Sequence, residues 1–195
     1  MTHDMEPKTE PVLSPPSLDQ ARAVIAFWQE LGSGGWFAKN DAVDQRFRDL
    51  FYDLHFAAAR RHCEHWLDDP EAGLALVLLL DQFPRNVFRG TGHMFATDPL
   101  ARHYARQLVE SGHIDQIDAE LRLFVCLPFV HSEALLDQDY ALKLYERHAP
   151  DAMGWAENHR SIIVRFGRFP HRNACLGRAT TPQEQQFLDE GGFSG

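Results

Sequence analysis

The stretch from Asp69 to Gln82 restricts the fold more than any other part of the chain. Asp69-Pro70 has the chemistry of a helix start, a capping acid followed by a proline at the first helical position, where its missing N–H costs nothing. The residues that follow, Glu71–Gln82, are apolar nearly all round a helix instead of along one stripe. The longest apolar run within them, Leu74–Leu80, is far too short to cross a bilayer, so the rest of the chain must keep water away from it. This predicts a central helix with other helices laid around it, and a length of 195 residues suits one such core.

The remaining sequence supplies those helices. Ser17 with Gln20 three residues on predicts a capping box and a helix carrying Ala21, Val24, Ile25, Trp28 and Leu31 on one face, stopped by Gly32-Ser33-Gly34-Gly35. A second helix begins at Asn40 or Asp41, with Val43, Phe47, Leu50, Phe51, Leu54 and Ala58 at helical spacing. Thr97-Asp98-Pro99 opens another, closed by Gly112, and Asp118–Leu127 is apolar enough to be buried, with Pro128 kinking or ending it. Ser132 is expected to cap a helix to about His148, Asp151 one to about Phe166, and Thr181-Pro182-Gln183-Glu184 to start a short last helix. No run of alternating β-branched residues suggests a strand. The expected fold is all-α, about eight helices, a single domain over 18–195 preceded by a disordered polar tail over 1–17 with four prolines and no apolar stretch.

Charge is distributed unevenly. From His159 to Arg178 there are five arginines (Arg160, Arg165, Arg168, Arg172, Arg178) and two histidines (His159, His171), with no Asp, Glu or Lys, in a chain of net charge −9. An acidic protein of this kind argues against a broad nucleic-acid surface. Lysine occurs only at 8, 39 and 143, so arginine carries most of the positive charge; its planar fork suits carboxylates and phosphates. Two irregular segments resemble one another: Phe83-Pro84-Arg85-Asn86 with Arg89-Gly90-Thr91, and Phe169-Pro170-His171-Arg172-Asn173 with Gly177-Arg178-Ala179-Thr180. If the two bends touch, their positive side chains share one hollow.

Each candidate has a plainer alternative. The arginines could pair with Asp81, Glu133, Asp137 or Asp139, and Asp81 and Arg85 are spaced to meet across one helical turn. His131-Ser132-Glu133 could hold a proton carrier, His131, oriented by Glu133, or simply a helix cap at Ser132. Asn86 and Asn173 could bind a ligand or bond their own backbone. His62, Cys63 and His65 lack a second ligand pair at metal spacing, so no metal and no cofactor are expected. Three cysteines without a C-x-x-C pair suit a reducing compartment, and the reading is a cytoplasmic protein without membrane contact.

With those residues in place, the chain resembles the bacterial family known as domain of unknown function 924. The resemblance covers about Ala23 to Phe193. It is carried by Leu79-Leu80-Asp81-Gln82-Phe83-Pro84-Arg85-Asn86, by Pro128-Phe129 with His131-Ser132-Glu133, and by Arg165-Phe166-Gly167-Arg168-Phe169-Pro170-His171-Arg172-Asn173. It implies a tetratricopeptide-like superhelix of antiparallel helix hairpins and brings no established reaction. The expected function is binding of an anionic small molecule, a phosphate or carboxylate, with hydrolytic turnover left open. Asp81, Arg85, Asn86, His159, Arg168, Arg172 and Asn173 are the expected ligand contacts, and His131, His171 and Glu133 the acid–base groups. The alternative is a non-enzymatic scaffold that binds a peptide or partner protein.

Overall fold

Ser17 caps the first helix as its sequence predicts: its Oγ accepts from Gln20 N–H while the Gln20 side chain accepts from Ser17 N–H. In the computed structural model, which describes residues 14–193, the chain is helical throughout, without a strand among the described residues. The eight α-helices are α1 (Leu18–Gly35), α2 (Asp41–Ala59), α3 (Pro70–Val87), α4 (Asp98–Glu110), α5 (Leu123–Val130), α6 (Leu135–His148), α7 (Met153–Phe166) and α8 (Pro182–Asp189). Most of the expected tail, residues 1–13, lies outside the described residues. The fold takes hold before Ser17, because the Pro16 carbonyl accepts from Trp66 Nε1 at 3.0 Å and from His65 Nε2 at 2.9 Å.

The central helix is α3. Every residue from Ala72 to Pro84 is buried, and α1, α2, α4 and α5 all pack on it. Five Leu in that stretch, at roughly 1.5–3 kcal/mol for each side chain removed from water, supply much of the drive to assemble the bundle. From α5 onward the packing runs in sequence, α5 on α6 and α6 on α7. The segment from Ile162 to Phe193 adds a small separate cluster of Ile162, Ile163 and Phe169 with Phe166, Phe187 and Phe193.

Several boundaries differ from the sequence expectation, and each difference has a physical cause. The helix expected to end at Gln82 continues to Val87 with Pro84 inside it. A proline there leaves the carbonyl four residues back, that of Leu80, without its N–H donor. The Thr97 hydroxyl donates to that carbonyl at 2.5 Å. The same bond explains why Thr97 makes no cap contact to α4. Ser132 does not cap α6 from its first turn. Its Oγ accepts from Ala134 N–H and donates to Asp137, forming a turn one step ahead of the helix. The glycine stop after α1 is confirmed in Gly32, whose φ of +61° ends regular helix geometry and leaves a short turn to Gly35.

One close approach fixes how near α4 lies to α3. A Cβ on Gly73 would sit 2.5 Å from Leu108 Cδ2, a side chain buried in the core. Gly73→Ala should therefore lower the unfolding free energy by about 1–3 kcal/mol, although alanine is the better helix former. Denaturant titration of the variant, alone and combined with Leu108→Val, checks this; the second change should restore part of the loss.

Candidate functional site

The two arginine-bearing segments do meet. A Cβ on Gly92 would lie 3.2 Å from the Cys175 carbonyl, so the chain after α3 touches the chain after α7. Asp98, at the start of α4, joins them electrostatically. Arg85 forks onto it through Nη1 at 2.7 Å and Nη2 at 3.0 Å, and Arg172 Nη1 reaches it at 3.4 Å. The ring of Phe95, in the 3₁₀ turn Gly92–Phe95, lies under Arg172 at 4.5 Å and near Arg85 at 5.9 Å. Phe169 covers Arg172 from another side at 4.6 Å.

Beside this group stands an aspartate–histidine pair. Asp81 is almost wholly buried, and its Oδ1 accepts from His131 Nδ1 at 2.7 Å while Oδ2 accepts from Gln82 Nε2 at 2.6 Å. Arg85 Nη1 lies 3.2 Å from Oδ1 and also donates to the Asp81 carbonyl. Burial would raise the Asp81 pKa, but Arg85, His131 and the two hydrogen bonds outweigh it and hold the carboxyl at about 2. His131 sits at the end of α5, and burial together with Arg85 lowers its pKa. His159, on α7, donates from Nδ1 to the Trp155 carbonyl at 2.8 Å; burial and the neighbouring His131 lower it to about 4. His171 is lowered to about 3, first by burial and then by Arg172. All three imidazoles are therefore neutral at pH 7. Burial also pulls Arg172 down to about 10, which leaves it charged.

Phe193 closes the far side: its ring lies 4.6 Å from His159 and 5.1 Å from His171. The backbone reaches it through Gly191, whose φ is +82°.

Not every expected residue joins this group. Glu133 does not orient His131; its carboxylate accepts from Phe169 N–H at 2.8 Å and forks with Arg178 at 2.7 and 3.0 Å, bracing the second segment. The partner of His131 is Asp81. Arg168 is bound on both sides of its fork by Glu184 and also donates to the Ala179 carbonyl, facing α8. Asn86 bonds the Gln82 carbonyl of its own helix and accepts from Arg89, which is paired with Asp44 of α2. Asn173 is fully buried with Nδ2 near Thr180 and Glu184. Asp98, Phe95, Arg178 and Phe193 were not singled out as site residues by sequence reasoning. Asp98 was hidden by its second role, since an acid before proline at a helix start needs no further explanation.

The model of a family described as bacterial protein of unknown function, DUF924, matches residues 24–192. The chain belongs to that family. Among solved structures, that of a protein of unknown function from Agrobacterium tumefaciens is 49% identical, with a TM-score of 0.88 over 90% of this chain and 100% of that one. No protein with a curated description matches. The DUF924 match spans all three motifs that meet around Asp81, Asp98 and Arg172. Among the described residues, no helix of this DUF924 protein is long and apolar enough to cross a membrane.

Proposed function

We propose that the protein binds a small anionic molecule, bearing phosphate or carboxylate, at Arg172, with His131 as the proton carrier. The supporting observation is the state of Arg172. It is 6% exposed, meets its nearest carboxylate through one nitrogen at 3.4 Å, and its Nε has no partner. Buried guanidinium groups are normally saturated, because an unmet charge in a protein interior costs several kcal/mol. Three further unpartnered buried atoms, His171 Nδ1, Asn173 Oδ1 and Arg178 Nε, belong to the same short segment. Arg85 and Arg168, by contrast, are spoken for by Asp98 and Glu184, so they brace the fold and leave ligand contact to Arg172.

The Asp81–His131 pair supports hydrolytic turnover as the chemistry of this site. A carboxylate that holds one ring nitrogen leaves the other as a base toward a water or a ligand proton. The free thiols of Cys63, Cys126 and Cys175 fit a reducing compartment and a cytoplasmic setting.

The test is thermal denaturation with phosphate, sulfate and a nucleotide panel. A ligand at a hundred times its Kd stabilises by about 2.7 kcal/mol, which for this length raises Tm by roughly 5–10 °C. Arg172→Met, which keeps the packing between the two phenylalanine rings, should abolish the shift. A protein indifferent to every anion in the panel rules the reading out. A second reading, a tetratricopeptide-like scaffold for a peptide, is favoured by the groove of about 600 Å³ between α1 and α2. It is lined by Ala23, Ala26, Phe27 and the exposed Leu50. Peptide binding lost in Leu50→Asp, with no anion response, would support it instead.

A further inference from the structure

The ligand's chemistry can be narrowed by asking which hydrogen-bonding partners the site leaves over. His131 Nδ1 faces a carboxylate oxygen, and His159 Nδ1 faces a backbone carbonyl. Both oxygens only accept, so each ring must carry its proton on Nδ1. That assignment leaves Nε2 of both rings with a lone pair and no proton. Neither Nε2 has a bond from another described residue. The two rings are neighbours, with centroids 6.4 Å apart. His159 and Arg172 lie against the same Phe169 ring, at 5.6 and 4.6 Å. The surroundings therefore offer one set of donors, on Arg172, next to two acceptors that no described residue fills.

A bare anion fits only half of this. Acetate or a fully ionised phosphate would satisfy the guanidinium but would turn oxygen lone pairs toward imidazole lone pairs. We infer that the ligand is a hydroxylated anion: its charged group lies on Arg172 and a hydroxyl beside that group donates to His131 or His159 Nε2. The inference rests on the anion reading above and goes further, because it excludes anions without a donor as the native ligand. With His131 as the acceptor, the hydroxyl proton stands next to the ring that Asp81 orients, the pair suited to take it.

Matched pairs test it. Glycolate is compared with acetate, and glycerol 3-phosphate with methyl phosphate, by titration calorimetry at pH 8, where the imidazoles are neutral. The hydroxylated member of at least one pair should bind about tenfold tighter, the worth of one good hydrogen bond. The pair that responds tells carboxylate from phosphate. The variants His131→Asn and His159→Asn keep a side-chain N–H for Asp81 and for the Trp155 carbonyl but lack Nε2. The preference should vanish in one of them while the affinity for the plain anion stays. Equal affinity within both pairs overturns this inference and leaves the anion reading standing. A preference retained in both variants overturns it as well. No binding of any of the four probes removes the anion reading and this inference with it.

Discussion

Asp98→Ala should destabilise the protein by about 3–5 kcal/mol, the usual cost of stripping a buried charge of its partner. Asp98 is the only carboxylate within salt-bridge reach of Arg172 among the described residues, and it takes the whole fork of Arg85. Without it Arg85 keeps Asp81 at 3.2 Å, while Arg172 keeps two aromatic faces and no acid. For a chain of this length the loss corresponds to a Tm lower by roughly 6–20 °C. The double variant Asp98→Ala/Arg172→Met should recover a large part of it, since the second change removes the charge that the first left stranded. Urea titration of the four proteins of this cycle measures the coupling. Additive losses would mean that Arg172 does not depend on Asp98 and that the 3.4 Å contact is incidental.

Acid should unfold the protein earlier than its carboxylates require. His55 is fully buried, with Nδ1 donating to the Leu79 carbonyl at 2.8 Å and Nε2 taking the proton of His93 Nε2 at 3.0 Å. Burial, first of all, lowers its pKa to about 4, and burial lowers His159 to about the same value. Both shifts are downward, so the folded state prefers the neutral ring. Above the unfolded value of about 6.5 neither state binds a proton and stability is whole. As pH falls below that, the unfolded chain takes up protons that the folded one refuses, until the folded values near 4 are reached. The loss is about 2–3 kcal/mol for each of these two rings by pH 4.5, a large part of a total stability of about 5–15 kcal/mol. Asp81, held at about 2, belongs to a lower window: its contribution is present above its unfolded value near 4 and disappears below it. Unfolding free energies from pH 7.5 to 4.5 should show the slope, and His55→Gln should remove about one proton from it. A flat profile over that range would contradict the neutral-ring assignment.

The architecture could be read from the chain because its signals are local. Asp69-Pro70, the two capping boxes at Ser17 and Thr181, and the apolar helix between Ala72 and Leu80 each act within a few residues, and each reappears as expected. Pro84 was misread for the opposite reason. Its tolerance inside α3 depends on the hydroxyl of Thr97, thirteen positions away, and no local pattern announces such a donor. The site shows the same division. Asp81 with Arg85 follows from helical spacing, while the meeting of the two arginine segments, the condition on which the site reading was built, is a long-range contact that no local pattern fixes. Which acid serves which base is set at long range too. Glu133 adjoins His131 in sequence yet holds Arg178, while the true partner, Asp81, comes from fifty residues earlier. Such pairings are decided by which helices pass one another, a long-range result of burying α3.

The placement of α3 has one more outcome. Since α1, α2, α4 and α5 all lean on it, baring any of its length means parting several helices together, so that half of the molecule opens as one unit or stays shut. The stretch carrying Phe169, Arg172 and Phe193 rests on its own smaller apolar patch. Asp81 and Asp98 thus sit on the stiff half, and Arg172 on the part whose parting from it exposes less apolar surface.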